Sequence, residues 1–190
     1  MIKLNKQQCP NPTALQSNYK HTDIKKAVRD DSFDKCIYCE SKTSHVYFGD
    51  VEHMKPKSKF PELEFDWDNL GYVCAKCNNA KRDTWDDQYP FINPYNENPA
   101  DFLCAVGHFI YHLVGDKRGE ITEKEIDLNR VELIEMRKER IDTVRTLADK
   151  YSNETNATLK NILSKELKKE LEYDKPYSMC AKSIFQQIIS

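Results

Sequence analysis

The sequence predicts an α+β fold, with a small ββα centre stabilised by a metal site and a predominantly helical C-terminal extension. Two Cys-x-x-Cys pairs flank short apolar runs of the length and composition that favour β-strands. Beyond residue 128, apolar residues recur at the spacing of amphipathic helices. A turn-rich passage separates the two regions, because its prolines disfavour helix around themselves.

Each predicted element in the first part of the chain follows from a local pattern. The first twenty residues show no clear period and contain two prolines, which favours an ordered arm or loop. Helical spacing predicts the helix that follows, and apolar residues on both sides of Gly49 predict the first strand. The predicted elements are a helix from His21 to Ser32, a tight turn at Cys36–Cys39, a strand from Val46 to His53, a surface loop at 54–68, a strand from Leu70 to Cys74 and a short helix from Ala75 to Arg82.

The second part of the chain reads as turns, strand structure and three helices. Asn129 and Glu132 suit the N-cap and capping-box partner of the first of these helices. The predicted elements are a turn-rich passage at 90–99, strand structure from Phe102 to Val114 ending at Gly115, a long amphipathic helix to about residue 151, a helix carrying Leu159 to Leu171, and a last helix opened by Pro176.

Length and composition fit one core with a helical extension. The chain has 190 residues, of which 32% are charged and 39% hydrophobic, as in globular proteins. No apolar run approaches about 18 residues and the N-terminus lacks a signal-like apolar segment, so we expect a cytoplasmic protein without membrane contact. We divide the chain into an N-terminal arm and short helix at 1–32, a central unit at 33–90 and a mainly helical extension at 91–190.

The cysteines predict a structural zinc site. Cys36/Cys39 and Cys74/Cys77 are paired at a spacing that usually binds metal in a reducing compartment, and four thiolates close one tetrahedral ion. Two alternatives stay open: four separate reduced thiols, and a redox-active pair, which the lack of a thioredoxin-like βαβ pattern disfavours. The remaining cysteines read as plain buried thiols: Cys9, Cys104 and Cys180.

An acid–histidine pair and two asparagines accompany the cysteine pairs. His53 suits a general base, because imidazole has an ordinary pKa of about 6.5. Glu52 and Asn78 form a sparse oxygen ligand set that suits Mg²⁺, which keeps several waters and takes phosphate oxygens. Asn69 precedes the second strand, where its amide could bond the backbone on the His53 side. Together these residues predict phosphodiester hydrolysis, which needs an activated water and a cation on the phosphate.

The order and spacing of these residues resemble the HNH endonuclease family, in the variant whose last histidine is an asparagine. The resemblance implies His53 as general base, Glu52 and Asn78 as ligands of Mg²⁺ or Mn²⁺, and Asn69 as the residue that orients the histidine. Two departures matter: Glu52 stands where aspartate is frequent, and Asn78 where histidine often stands. The segments that carry the resemblance are Asp50-Val51-Glu52-His53-Met54-Lys55-Pro56-Lys57, Trp67-Asp68-Asn69-Leu70 and Cys74-Ala75-Lys76-Cys77-Asn78-Asn79-Ala80-Lys81.

Similarity beyond these motifs points to one subgroup, the HNH proteins of bacterial Septu-type anti-phage systems. The similar segments are Glu52–Lys59, Phe65–Leu70, Phe91–Tyr95 and Ile126–Arg130. In that subgroup the nuclease works with an ABC/SMC-like ATPase, so the resemblance implies a DNA-cutting effector subunit, in a homo- or hetero-oligomer. Two other hypotheses stay open: a zinc-stabilised interaction module with vestigial motifs, and a stand-alone restriction-like nuclease, for which no sequence-reading domain is recognisable.

The chain as a whole is less basic than proteins that bind DNA unaided usually are. The net charge is −2 and the pI about 6.2, whereas a protein that binds DNA unaided is more often basic. Lys59 suits a phosphate contact and a solvated loop face equally, and Asp50 is expected beside the metal site rather than in it. Apolar stripes on the C-terminal helices predict a partner interface in addition to packing. The predicted phosphate contacts are Lys55, Lys57, Lys81 and Arg82.

Overall fold

The computed structural model describes residues 1–43 and 49–189. In these residues two antiparallel hairpins and seven helices form the fold. The elements are α1 Pro12–Leu15, α2 Thr22–Asp31, β1 Asp50–His53, β2 Leu70–Val73, α3 Ala75–Lys81, β3 Leu103–Val106, β4 Phe109–His112, α4 Lys117–Glu125, α5 Val131–Asn153, α6 Ala157–Glu170 and α7 Ser178–Ile189.

The N-terminal arm contains a one-turn helix and leads into the predicted helix α2. His21 caps α2, its side chain accepting a hydrogen bond from the backbone N–H of Asp23, as N-caps do. On the inner face of α2, Ile24 and Val28 are fully buried and pack in a cluster with Val51 of the first hairpin. The arm and α2 therefore lie against the hairpin on which the candidate site is built.

The predicted α+β class with a ββα centre is confirmed. β1 and β2 pair antiparallel, with Glu52 opposite Gly71 and His53 opposite Leu70, and α3 follows directly. Every residue of β2 is buried, which explains its apolar sequence. The predicted strand from Val46 begins at Asp50 in the structure, and residues 46–48 lie outside the described residues. Within the predicted loop at 54–68, two short 3₁₀ turns occur.

The prediction that Asn129 caps the long helix is wrong. Its side-chain amide instead makes two hydrogen bonds to the backbone of Ile110 in β4. It accepts from the Ile110 N–H at 2.9 Å and donates to the Ile110 carbonyl at 2.6 Å. The helix α5 begins two residues later, with Arg130 at the N-cap position and no side-chain cap bond. The sequence prediction also missed α4, because most of its residues are charged and apolar residues do not recur at helical spacing. Asp116, which accepts from the Gly119 N–H at 2.6 Å, was the available capping signal.

The C-terminal helices pack on one another and on the hairpin β3–β4. Val144 and Ala148 of α5 form a buried cluster with Leu167 of α6 and Ala181 of α7. On the outer face of α6, Leu159 and Ile162 are about half exposed, at 49% and 52%. In the part of the chain described, none of the helices combines the length and apolarity that a membrane span requires.

Candidate active site and metal centre

The four paired cysteines come together in one cluster. Their Sγ atoms all lie within 4.8 Å of one another, and those of Cys39 and Cys74 are 3.8 Å apart. A tetrahedral zinc ion with Zn–S bonds of about 2.3 Å needs sulfurs about 3.8 Å apart, so the cluster has the dimensions of a Zn–Cys₄ site. None of these cysteines forms a disulfide. The chemistry of the donors and their spacing therefore fit zinc.

The cysteines are positioned by the ends of neighbouring elements. In the turn at Cys36–Cys39, the Cys36 N–H donates to the Ser41 carbonyl at 2.9 Å, and the Ile37 N–H donates to the Tyr72 carbonyl of β2 at 3.0 Å. At the second pair, Cys74 is the N-cap of α3 and Cys77 lies in its first turn. The cysteine cluster thus connects the turn at Cys36–Cys39 to the end of β2 and the start of α3.

Two residues from the C-terminal half support the cysteine cluster, Arg130 by direct contact and Tyr177 through Ser41. The guanidinium of Arg130 lies 3.5 Å from Cys77 Sγ, where its positive charge offsets thiolate charge. Ser41 Oγ lies 3.1 Å from Cys39 Sγ and 2.9 Å from the hydroxyl of Tyr177. Sequence reasoning assigned no role to Arg130, because nothing in its local pattern indicates a partner more than fifty positions away.

His53 is the last residue of β1, and its ring is held by a backbone carbonyl. Nε2 lies 2.9 Å from the carbonyl oxygen of Glu64. Since a carbonyl oxygen only accepts, Nε2 carries the proton, and no hydrogen bond from the described residues engages the lone pair of Nδ1. Burial lowers the pKa of His53 below its ordinary value of 6.5; the hydrogen bond to Glu64 opposes this shift, and the charge of Lys57 adds to it. The ring is therefore a neutral base at physiological pH.

Glu52 and Lys81 form a buried ion pair beside the histidine. Lys81 is fully buried, and its Nζ donates to Glu52 Oε1 at 2.8 Å and to the His53 carbonyl at 2.9 Å. Burial raises the pKa of Glu52, and the charge of Lys81 opposes this rise. The prediction of a phosphate contact at Lys81 does not fit this burial, because its ammonium faces inward. Nothing in the local sequence indicates that the last turn of α3 points at β1.

Asn69 holds the loop that follows His53. Its Oδ1 accepts from the Lys55 N–H at 2.8 Å, and its Nδ2 donates to the carbonyls of Lys55 at 3.0 Å and Leu63 at 3.2 Å. Leu63 precedes Glu64, whose carbonyl holds the histidine ring. The side chain of Asn69 thus acts on His53 through the loop backbone rather than by direct contact.

A cleft of about 240 Å³ brings Glu52, His53 and Asn78 together. Among the described residues, no hydrogen bond engages the side-chain amide of Asn78, so its oxygen is available to a ligand. Carboxylate and amide oxygens are donors that Mg²⁺ accepts, so the cleft fits such an ion. The further lining side chains are Tyr19, Lys20, Asp50, Val51, Pro56, Lys57, Ser58, Arg82 and Asp83.

The predicted basic contacts divide into two groups. Lys57 and Arg82 line the cleft, with Lys57 Nζ 2.8 Å from Glu64 Oε1. Lys55 lies outside it, its Nζ 5.2 Å from the ring centre of Phe60. Sequence reasoning missed Tyr19, which comes from the N-terminal arm and whose only sequence signal is an aromatic residue next to a lysine.

Residues 36–84 match the model of the HNH endonuclease family, and this segment holds the cysteine cluster and most of the residues that line the cleft. The chain is also similar to Septu protein PtuB of Bacillus thuringiensis, with 33% identity over 111 residues, which cover 57% of this chain and 42% of the relative. A second relative, Septu protein PtuB of Bacillus mycoides (strain KBAB4), is 25% identical over 150 residues, covering 63% and 51%. The chain thus spans about half the length of the curated relatives it matches.

Proposed function

We propose that this protein is a metal-dependent HNH endonuclease that hydrolyses DNA phosphodiester bonds. The observation that supports this most directly is the cleft itself. A neutral histidine with a free Nδ1, a carboxylate and an unengaged amide oxygen line the same small space. These are the groups that phosphodiester hydrolysis needs, a base for water and oxygen ligands for a cation.

His53 takes a proton from the attacking water on Nδ1, while Nε2–H stays bonded to the Glu64 carbonyl. Glu52 and Asn78 are the residues that hold Mg²⁺ or Mn²⁺. When bound, such an ion polarises the phosphoryl oxygen and stabilises the leaving oxygen. Asn69 keeps the loop after His53 in place through its three backbone bonds. The zinc site has only a structural role, because four thiolates leave no open position.

Lys81 receives a different role from the one that its sequence position suggests. Its ammonium bonds Glu52 and the His53 backbone together, so it fixes the carboxylate and the base relative to each other. Lys57 and Arg82, at the rim of the cleft, are the better candidates for phosphate contacts, which add affinity without sequence information. Lys55 is at most a peripheral contact.

We further propose that the chain acts as the effector subunit of an anti-phage complex with an ABC/SMC-like ATPase. The similarity to two Septu proteins supports the defence role. Because the net charge is −2, we expect a partner to supply most of the attraction to DNA. The half-exposed Leu159 and Ile162 on α6 offer an apolar surface for contact with that partner. A zinc–thiolate site suits a reducing compartment, so we place the protein in the cytoplasm.

The test is cleavage of DNA by the protein, alone and co-expressed with the product of the neighbouring gene, with Mg²⁺ or Mn²⁺. His53→Ala is expected to abolish cleavage while zinc content stays at one ion per chain. Glu52→Gln, which leaves Lys81 an acceptor, is expected to raise the metal concentration needed for half-maximal rate. The matched control is His108→Ala in the second hairpin. If His53→Ala cleaves as fast as the wild type, His53 is not the general base. If the wild type cleaves no DNA under any of these conditions, the chain is instead a zinc-stabilised scaffold subunit.

A further inference from the structure

The ring of His53 is enclosed by a closed circuit of contacts. Its Nε2 binds the backbone carbonyl of Glu64 at 2.9 Å, and the side chain of the same Glu64 binds Lys57 at 2.8 Å. The ammonium of Lys57 lies 4.7 Å from the ring centre of Tyr19. Tyr19 in turn lies edge-to-face on His53, with ring centres 4.6 Å apart and planes at 66°. Each group is thus held by the next.

The N-terminal arm that carries Tyr19 is anchored to the strand that carries His53. Lys20 Nζ pairs with Asp50 Oδ2 at 2.5 Å, and Lys25 Nζ lies 3.9 Å from the other carboxylate oxygen. Asp50 is the first residue of β1. Tyr19 also packs against the buried cluster that joins α2 to the first hairpin. The arm therefore keeps a fixed position relative to the base, although it lies outside residues 36–84.

We propose that Tyr19 is a positioning residue for His53, so that the N-terminal arm is part of the active site; this rests on the proposed function. A single hydrogen bond at Nε2 lets the imidazole pivot, because rotation about its second side-chain torsion is broad. The aromatic edge contact blocks that pivot from the other side. Nδ1 then stays in the orientation in which it takes a proton from a water in the cleft that His53 lines. Orientation of this kind contributes strongly to rate.

The test compares Tyr19→Phe with Tyr19→Ala and Tyr19→Leu. Tyr19→Phe keeps the ring contact and is expected to behave as the wild type. Tyr19→Ala removes the contact, and Tyr19→Leu keeps apolar bulk, so that it reports even if the alanine variant fails to fold. For both we expect kcat to fall by about 100-fold with KM for DNA unchanged, since misplacing a base acts on the chemical step. The control is Tyr173→Ala, an exposed tyrosine remote from the cleft in sequence.

A second measurement is independent of catalysis. Nitrogen NMR of ¹⁵N-histidine protein distinguishes the two ring tautomers, and the chain has five histidines, so His53 is assignable with His53→Ala. Wild type and Tyr19→Phe are expected to show His53 fixed as the Nε2–H tautomer. Tyr19→Ala and Tyr19→Leu are expected to show averaged Nδ1 and Nε2 signals.

The outcomes separate this inference from the proposed function. A fixed Nε2–H tautomer with wild-type kcat in Tyr19→Leu would overturn the role of Tyr19. Equal impairment of Tyr19→Phe would also overturn it, since the hydroxyl rather than the ring would then matter. If the wild type cleaves no nucleic acid with any metal or partner, the proposed function fails, while the tautomer comparison still decides whether Tyr19 positions His53.

Discussion

Replacing Lys81 by methionine is expected to destabilise the folded protein by about 3–5 kcal/mol, the usual effect of removing one partner of a buried ion pair. Lys81 is fully buried, and the Glu52 side chain that it contacts is only 13% exposed. The substitution leaves a carboxylate and the His53 carbonyl without their donor. For a domain of this size the loss lowers Tm by about 6–20 °C. Differential scanning calorimetry of the zinc-loaded protein measures it.

The pH dependence tests the physical cause. A carboxyl group whose folded-state pKa is raised favours the fold at low pH, and this contribution is lost as pH rises through the folded-state pKa. Burial already raises the pKa of Glu52, and Lys81 opposes the rise, so removing Lys81 raises it further. The variant should therefore lie closer to wild type at pH 5 than at pH 8.

The same substitution at Lys76 serves as the control. Lys76 also lies on α3, and its ion pair with Glu132 is exposed, with 58% and 61% of the side chains accessible. Such a pair contributes about 0–1 kcal/mol. If Lys81→Met lost no more stability than Lys76→Met, or lost the same amount at both pH values, the buried ion pair would not be what holds this region together.

Three further predictions concern the metal centre and the partner surface. Cys77→Ser is expected to lose the zinc ion that elemental analysis should find at one per chain, because ligand thiolates couple metal binding to folding; soluble, folded wild type without zinc would refute this. Arg130→Met is expected to lower zinc affinity about 10–100-fold in competition with a chelator, the usual effect of removing a group that supports a ligand, and unchanged affinity would contradict it. Leu159→Ser with Ile162→Ser on α6 should weaken co-purification with the proposed ATPase partner without lowering Tm, since both side chains are half exposed; undiminished binding would exclude this surface.

The sequence predicted the centre of the fold well because its signals are local. Cysteine spacing indicated the turn that carries Cys36 and Cys39, and short apolar runs indicated the strands and the helix next to the cysteine cluster. The long helix α5 followed from its apolar period, and Ile141, Val144 and Ala148 are indeed buried. These elements are decided by neighbours within a few positions, which a sequence displays directly.

What could not be predicted depends on contacts between distant segments. Asn129 has the composition of a cap, but a hairpin strand takes its hydrogen bonds. Lys81 looks like a surface charge until α3 packs against β1 and encloses it. Tyr19 gains meaning only because the arm is anchored beside His53. In each case tertiary packing overrides the local preference, and no spacing rule records which distant partner is chosen.

The turn that carries the first cysteine pair is completed by the far end of the chain. Glu40 has a left-handed backbone, with φ of 62°, and its buried carboxylate accepts from the N–H and hydroxyl of Ser178 at 2.9 and 2.7 Å. Tyr177 supports the same turn through Ser41. The ββα centre therefore depends on the C-terminal helix and is not a unit that can be transferred alone. Excising it for fusion to another targeting protein would strip this turn of its supports, so engineering has to carry the C-terminal helix along or redesign the turn.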